Sequence, residues 1–331
     1  MSYKASENRY EEMKYRRCGR SGLKLPEISL GLWHNFGQTD DFEKGRKTIL
    51  TAFDAGICHF DLANNYGPPP GSAEATFGKI LKKDLASYRD EIIVSTKAGY
   101  DMWQGPYGEW GSRKHLIASL NASLKRMKLD YVDIFYSHCP DPDTPIEETM
   151  GALADIVRQG KALYIGISNY DIEQSAKAIS VLNTLGVPCL IHQASYSMLN
   201  RRIEDGLLDF LEKEGTGCIC FSPLAQGLLS GRYLDGSFPV GSRAFRSVFL
   251  KSETLAPALL KKLNDLNDVA QEGGRSLFVL AIQWILRDNR STSVLIGATS
   301  SEQLQENLTA LSYPPLSTEE LEKIEEILIM S

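Results

Sequence analysis

Eight short runs of apolar, β-branched residues recur along the chain, each followed by a longer stretch with helical periodicity. This alternation limits the possible folds more than any other feature. The runs are Ile28–Gly31, His59–Asp61, Ile92–Lys97, Val132–Ser137, Ala162–Ile167, Leu190–Gln193, Gly217–Phe221 and Ser293–Ile296. The helical stretches fall near 41–55, 72–82, 112–126, 145–159, 171–185, 204–214, 276–288 and 301–311. Ser72 and Ser301 read as N-caps, and Thr144 caps a helix that opens on Pro145, with Glu147 and Glu148 in its first turn. Runs that are apolar on both faces predict parallel strands covered by helices. Eight such units close into a barrel within about 250 residues. The chain has 331, and the surplus is assigned to an N-terminal β-hairpin (Met13 to Leu25), an insertion at 224–274 and C-terminal extra helices, one starting at Ser317. A doubly wound sheet with a second domain is the alternative, but no change of composition marks a boundary near mid-chain. The expectation is an α/β fold, a (β/α)8 TIM barrel forming a single domain over 1–331.

Charge narrows the function. Thirty-six basic residues against 42 acidic ones give a net charge of −6, without the basic stripe of a nucleic-acid binder or an attraction to anionic membranes. No apolar run of transmembrane length occurs, and the segment from Met1 to Arg17 carries no apolar signal core, so a cytoplasmic protein is expected. Six scattered cysteines without C-x-x-C spacing read as reduced thiols. The five histidines show no metal-ligand spacing, so no metal is expected.

The active site of a parallel barrel lies at the C-terminal ends of its strands. Asp61 ends the second run, and Tyr66 follows in its loop. Lys97 ends the third, and His138 follows the fourth. Any one of these is commonplace, but together they place four reactive groups from three neighbouring strands on one rim. A phenol near pKa 10 is a poor acid at neutral pH. An ammonium beside it favours the phenolate and brings its pKa toward a useful range. Asp61 would keep Lys97 charged and oriented, and His138 would hydrogen-bond a carbonyl oxygen. No G-x-G-x-x-G opens a strand-to-helix turn, and there is no P-loop.

The chain resembles the aldo-keto reductase family over nearly its whole length. The resemblance is carried by His59-Phe-Asp-Leu-Ala-Asn-Asn-Tyr-Gly67, Gly166-Ile-Ser-Asn169, Ser222-Pro-Leu-Ala-Gln-Gly227 and Ile296-Gly-Ala-Thr-Ser-Ser-Glu-Gln303. Three further segments, Leu30–Gly37, Tyr66–Glu74 and Ser95–Trp103, place it nearest the potassium-channel β-subunit branch and its bacterial L-glyceraldehyde 3-phosphate reductases. The resemblance implies a catalytic set of Asp61, Tyr66, Lys97 and His138, and NADPH (as NADP+ after turnover) held without a Rossmann unit. Ser168, Asn169 and Gln193 match positions that hold the carboxamide. Ser222, Pro223, Leu224 and Gly227 match the pyrophosphate grip, and Gly297, Thr299, Gln303, Glu306 and Asn307 the adenosine end. Tyr196 matches only weakly. Many members place Lys and Arg where this chain has Gly297 and Gln303. The channel-subunit branch instead supplies cations after the seventh strand, where Arg232 and Arg243 stand here.

Trp33, Tyr100 and Trp103 would wall a pocket for a small aldehyde, with His34 and Arg113 as anchors for a substrate phosphate. A homo-oligomer of four or more copies is also implied. The rival functions are an NADPH-binding, redox-sensing regulatory subunit and, outside this family, a metal-dependent hydrolase.

Overall fold

The apolar runs pair in parallel and close on themselves, because a strand returned by a helix to the same end of the sheet can only join its neighbour in the same direction. The computed structural model describes residues 3–237 and 256–329. β1 (Tyr15–Arg17) and β2 (Lys24–Pro26) form an antiparallel hairpin with Tyr15 opposite Pro26. The barrel then runs through β3 (Ile28–Gly31), β4 (His59–Asp61), β5 (Ile93–Ala98), β6 (Val132–Ser137), β7 (Ala162–Ser168), β8 (Ile191–Ser195), β9 (Gly217–Phe221) and β10 (Ser291–Ile296). Each strand pairs with the next, and β10 closes the ring against β3. Four of these strands match the expected runs residue for residue. The other four are displaced or extended by one or two residues. β8 and β10 are longer because backbone pairing continues through Ala194 and Ser195 and back to Ser291, where the side chains are no longer strongly apolar.

Closure separates two apolar layers. Ile28, Leu30, Phe60, Val94 and Phe135 point outward and pack under the helices. Ile93, Ile134, Tyr136, Ile191, Ile219 and Leu295 fill the barrel, and Cys18 and Leu25 of the hairpin region join them at its N-terminal end. Arg16 fastens that end, donating to the carbonyls of Leu286, Asp288 and Ser291 while pairing with Glu27. All six cysteines are buried and none is bonded to another.

Helices Phe42–Asp54, Ser72–Ile80, Arg113–Met127, Ile146–Arg158, Ile172–Thr184, Leu207–Glu214, Leu277–Leu286 and Ser301–Leu308 follow the eight strands in turn, and Thr318–Ile329 ends the described chain. Part of the region read as an insertion is a further helix, Pro257–Glu272, with proline in its first turn. Three caps differ from expectation. Gly71, in left-handed backbone, precedes Ser72, which is already helical. Ser300 caps the last barrel helix in place of Ser301. Pro145 occupies the cap position after Thr144, whose amide is instead held by Asp141. Among the described residues no helix is long and apolar enough to cross a membrane.

Candidate active site

Parallel register sets the site. Asp61 of β4 lies between Gly31 of β3 and Ser95 of β5, and Lys97 lies two residues beyond Ser95 on the same inward face. Asp61, Ser95 and Lys97 are fully buried. Lys97 Nζ donates to Asp61 Oδ2 at 2.5 Å, to the carbonyl of Leu62 at 2.6 Å and to Tyr66 Oη at 3.3 Å. An ammonium has three donors, so these contacts commit all of them. Because Tyr66 Oη accepts from Lys97, its own hydrogen is free to point elsewhere. Asp61 Oδ1 in turn accepts from Ser95 Oγ at 2.6 Å and Gln193 Nε2 at 3.2 Å.

The electrostatics differ from the expectation that the ammonium would lower the phenol's pKa. Burial, and next the negative charge of Asp61, hold Tyr66 well above 10. Burial also lowers Lys97, against the pull of Asp61. The physical cause is first the burial of the phenol and then the negative charge of Asp61, which the ammonium at 3.3 Å does not outweigh. The phenol is therefore protonated at neutral pH. His138 is held well below 6.5 by burial and then by Lys97, and is neutral. Its Nδ1 is buried without a partner among the described residues. A bare acceptor is cheaper to leave unmatched than an N–H, so the proton sits on Nε2.

The aromatic residues divide. Trp33 lies 6.1 Å from the Tyr66 ring and stacks on His34, and Tyr100 meets His138 edge-on at 4.6 Å. Tyr66 and His138 meet at 5.9 Å. Trp103 leans on the buried His115 instead, at 5.1 Å. Arg113 pairs at the surface with Asp155 at 2.7 Å.

The remaining candidates lie along the C-terminal ends of β7 to β10. Ser168 and Gln193 are in register on adjacent strands. Asn169, in left-handed backbone, donates to the His138 carbonyl at 3.1 Å and to Tyr100 Oη at 3.4 Å. After β9 the chain turns through Ser222, Pro223 and Leu224 to Gly227, with left-handed φ at Ser222, Ala225, Gln226 and Gly227. Three of those four carry a Cβ, a local strain that a fold sustains only where its surroundings enforce it. After β10, Gly297 has open space on its Cβ side. Gln303 Oε1 accepts from both the amide and the hydroxyl of Thr299, and the buried Asn307 Nδ2 has no partner among the described residues. Glu306 and Arg232 are exposed, and Arg243 lies outside the described residues. Tyr196, by contrast, is fully buried, donates to Glu204 and packs on Trp284, so it belongs to the core.

Sequence reasoning missed the polar groups beneath this rim. His59, Ser29 and Ser293 continue the line from Ser95 into the barrel. His115 Nδ1 and Asp141 pin the loop that carries Tyr100 and Trp103, through the Tyr107 carbonyl and the Gly111 amide. The available signal was a polar residue at an inward strand position. No group of His, Cys, Asp and Glu among the described residues could hold a metal ion.

A profile described as the aldo/keto reductase family matches residues 27–329. The chain is 55% identical over 331 residues to L-glyceraldehyde 3-phosphate reductase of Escherichia coli (strain K12), covering 98% of this chain and 95% of that one. It is 38% identical over 322 residues to a probable voltage-gated potassium channel subunit beta of Oryza sativa subsp. japonica, covering 95% and 96% of the two chains. To the corresponding protein of Arabidopsis thaliana it is 36% identical over 323 residues, covering 96% and 97%.

Proposed function

The chain belongs to the aldo/keto reductase family, and from that premise we propose that it is a cytoplasmic, NADPH-dependent reductase of small aldehydes, with L-glyceraldehyde 3-phosphate and methylglyoxal-like compounds as substrates. The reading makes residues 1–331 one catalytic domain. The observation that carries it is the line Asp61–Lys97–Tyr66, in which Lys97 donates to the phenol oxygen and leaves the phenol hydrogen for a substrate.

The rim from β7 to β10 fits a dinucleotide. The Asn307 amide, without a partner among the described residues, the open side of Gly297 and the left-handed turn at Ser222–Gly227 are the features that a long polar ligand would engage. Ser168, Asn169 and Gln193 would hold the nicotinamide end. Ser222, Pro223, Leu224 and Gly227 would hold the pyrophosphate, and Thr299, Gln303, Glu306 and Asn307 the adenosine. Arg232 and Arg243 would meet the 2′-phosphate. When bound, the reduced nicotinamide supplies a hydride to the carbonyl carbon. His138 Nε2–H and Tyr66 position the carbonyl oxygen, and Tyr66 gives it the proton. Lys97, held by Asp61, stabilises the phenolate that remains. Trp33 and Tyr100 wall the opening and exclude water.

Tyr66→Phe keeps the ring and removes the acid, so reduction should fall by about 10³-fold or more while NADPH still binds. An active Tyr66→Phe protein would sink the assignment. The assay is NADPH oxidation with a panel of aldehydes, repeated with NADH. The likeness to channel subunits supplies the second reading, a redox-sensing regulatory subunit: NADPH bound without turnover of any aldehyde would favour it.

A further inference from the structure

We propose that His59 is a positioning residue for the proton-donating group, acting through Ser95 on Asp61, and that it does so as the neutral Nε2–H tautomer. The inference rests on the reading of Tyr66 as the acid.

Ser293, Ser29, His59 and Ser95 stand on β10, β3, β4 and β5, which are consecutive neighbours in the ring, and all four side chains are fully buried. Their polar atoms form one line: Ser293 Oγ to Ser29 Oγ at 2.7 Å, Ser29 Oγ to His59 Nδ1 at 2.9 Å, His59 Nε2 to Ser95 Oγ at 3.0 Å, and Ser95 Oγ to Asp61 Oδ1 at 2.6 Å. The direction of every hydrogen follows from its last member. A carboxylate only accepts, so Ser95 spends its single hydrogen on Asp61. Toward His59 it can then only accept, which puts the imidazole hydrogen on Nε2. A neutral ring with Nε2–H has a bare Nδ1, which takes the hydrogen of Ser29, and Ser29 takes that of Ser293. All four donors aim the same way, and the line ends on the carboxylate that holds Lys97.

The rest of the barrel interior shows that such a line is not needed for packing. Ile93, Ile134, Ile191, Ile219 and Leu295 fill it with aliphatic side chains, and polar groups here cost free energy unless they are bonded. The imidazole adds no charge, since burial pushes its pKa down to about 4. Its effect is to fix the hydroxyl of Ser95 and, with Gln193, to spread the negative charge of Asp61 over three donors. The charged and titratable groups around this assembly are Asp61 on β4, Lys97 on β5, Tyr136 and His138 on and after β6, Glu74 from the helix Ser72–Ile80, Tyr100 from the loop after β5, and His34 beside Trp33 after β3. An Asp61 with one donor fewer presents more uncompensated charge to Lys97 and Tyr66, which favours the protonated phenol still further.

The test is the pH profile of kcat/KM for aldehyde reduction. Ser95→Ala should lower kcat/KM about tenfold, the scale of one hydrogen bond to a charged group, and move the alkaline limb to higher pH. NADPH affinity, read by fluorescence titration, should not change. His59→Met should move the limb the same way by less. His59→Gln places an amide donor where Nε2 stood and should return the limb to the wild-type position. An unmoved limb in both Ser95→Ala and His59→Met overturns the proposal. A second measurement needs no turnover: long-range nitrogen–proton spectra of the imidazoles should show His59 neutral with its hydrogen on Nε2 from about pH 6 to pH 9. A hydrogen on Nδ1 would also overturn it. If the wild-type protein turns over no aldehyde, the reductase reading fails, while the spectra still decide the direction of the line.

Discussion

A single hydrogen atom separates an acid from a bystander at this site. Lys97 was legible as a partner for Tyr66 because both fall at the C-terminal ends of neighbouring units. Its effect was not, because a sequence does not reveal the burial of the phenol or that the carboxylate of Asp61 stands beside it, paired with Lys97 at 2.5 Å. Asp61 and His138 were visible by the same placement at strand ends. Ser29, His59, Ser95 and Ser293 were not, since polar residues inside an apolar run look like alternation toward solvent until the sheet closes. Gly166 shows the same limit in reverse. It reads only as a small member of the apolar run Ala162–Ile167, yet a Cβ there would lie 2.6 Å from the Tyr136 ring and 2.7 Å from the Ile191 carbonyl. Gly166→Ala should therefore cost about 1–3 kcal/mol, the range for overpacking a filled core, read as a lowered urea midpoint. An unchanged midpoint would mean that Tyr136 moves freely inside the barrel.

Elements were easier to recognise than their ends. Strand positions followed from apolar runs, because a parallel strand is covered on both faces. The caps depended on which residue happens to leave helical backbone first. At Ile172–Thr184 the cap is complete: Asp171 accepts from the Gln174 amide at 2.7 Å, and the Gln174 side chain accepts from the Asp171 amide at 3.1 Å. This helix follows β7, whose last residue Ser168 lies on the rim with Asn169, so the reciprocal bonds help define where that rim turns. Asp171→Ala should cost about 1 kcal/mol, measured by urea unfolding. Aldehyde reduction should survive, since the Asp171 side chain caps the helix through the Gln174 amide rather than bonding a proposed site residue. The helix Pro257–Glu272 lies within the stretch that reads, from its sequence, as one long insertion. Its Pro257 start and apolar Leu263, Leu266 and Val269 face are clear once it is seen docked.

For the whole molecule, closure of the barrel sets the response to acid. Burial pushes His59 and His192 from 6.5 down to about 4, and it lowers His115 and His138 as well. In the unfolded chain each titrates near 6.5. Between about pH 6.5 and pH 4 the unfolded chain therefore binds protons that the folded protein refuses. Stability is fully present above that window and declines as the pH falls through it, by up to about 1.4 kcal/mol per pH unit for each such histidine. Urea unfolding at pH 7.5 and pH 5 should show the lower midpoint at pH 5, and His59→Gln should flatten the slope. Equal midpoints at the two pH values would contradict the buried, neutral state of these rings.

The sequence by itself determined the number of strand–helix units, their order and which reactive groups sit at strand ends. Those follow from hydrophobic period and from short-range chain chemistry, which act along the chain. Only the tertiary structure decided what those groups face. The 2.5 Å pair of Lys97 with Asp61, the bond from Arg113 to Asp155, the packing of Tyr196 on Trp284 and the polar line through His59 all join residues far apart in sequence. Burial and the direction of a hydrogen bond depend on every neighbour at once, and that information exists only when the ring has closed.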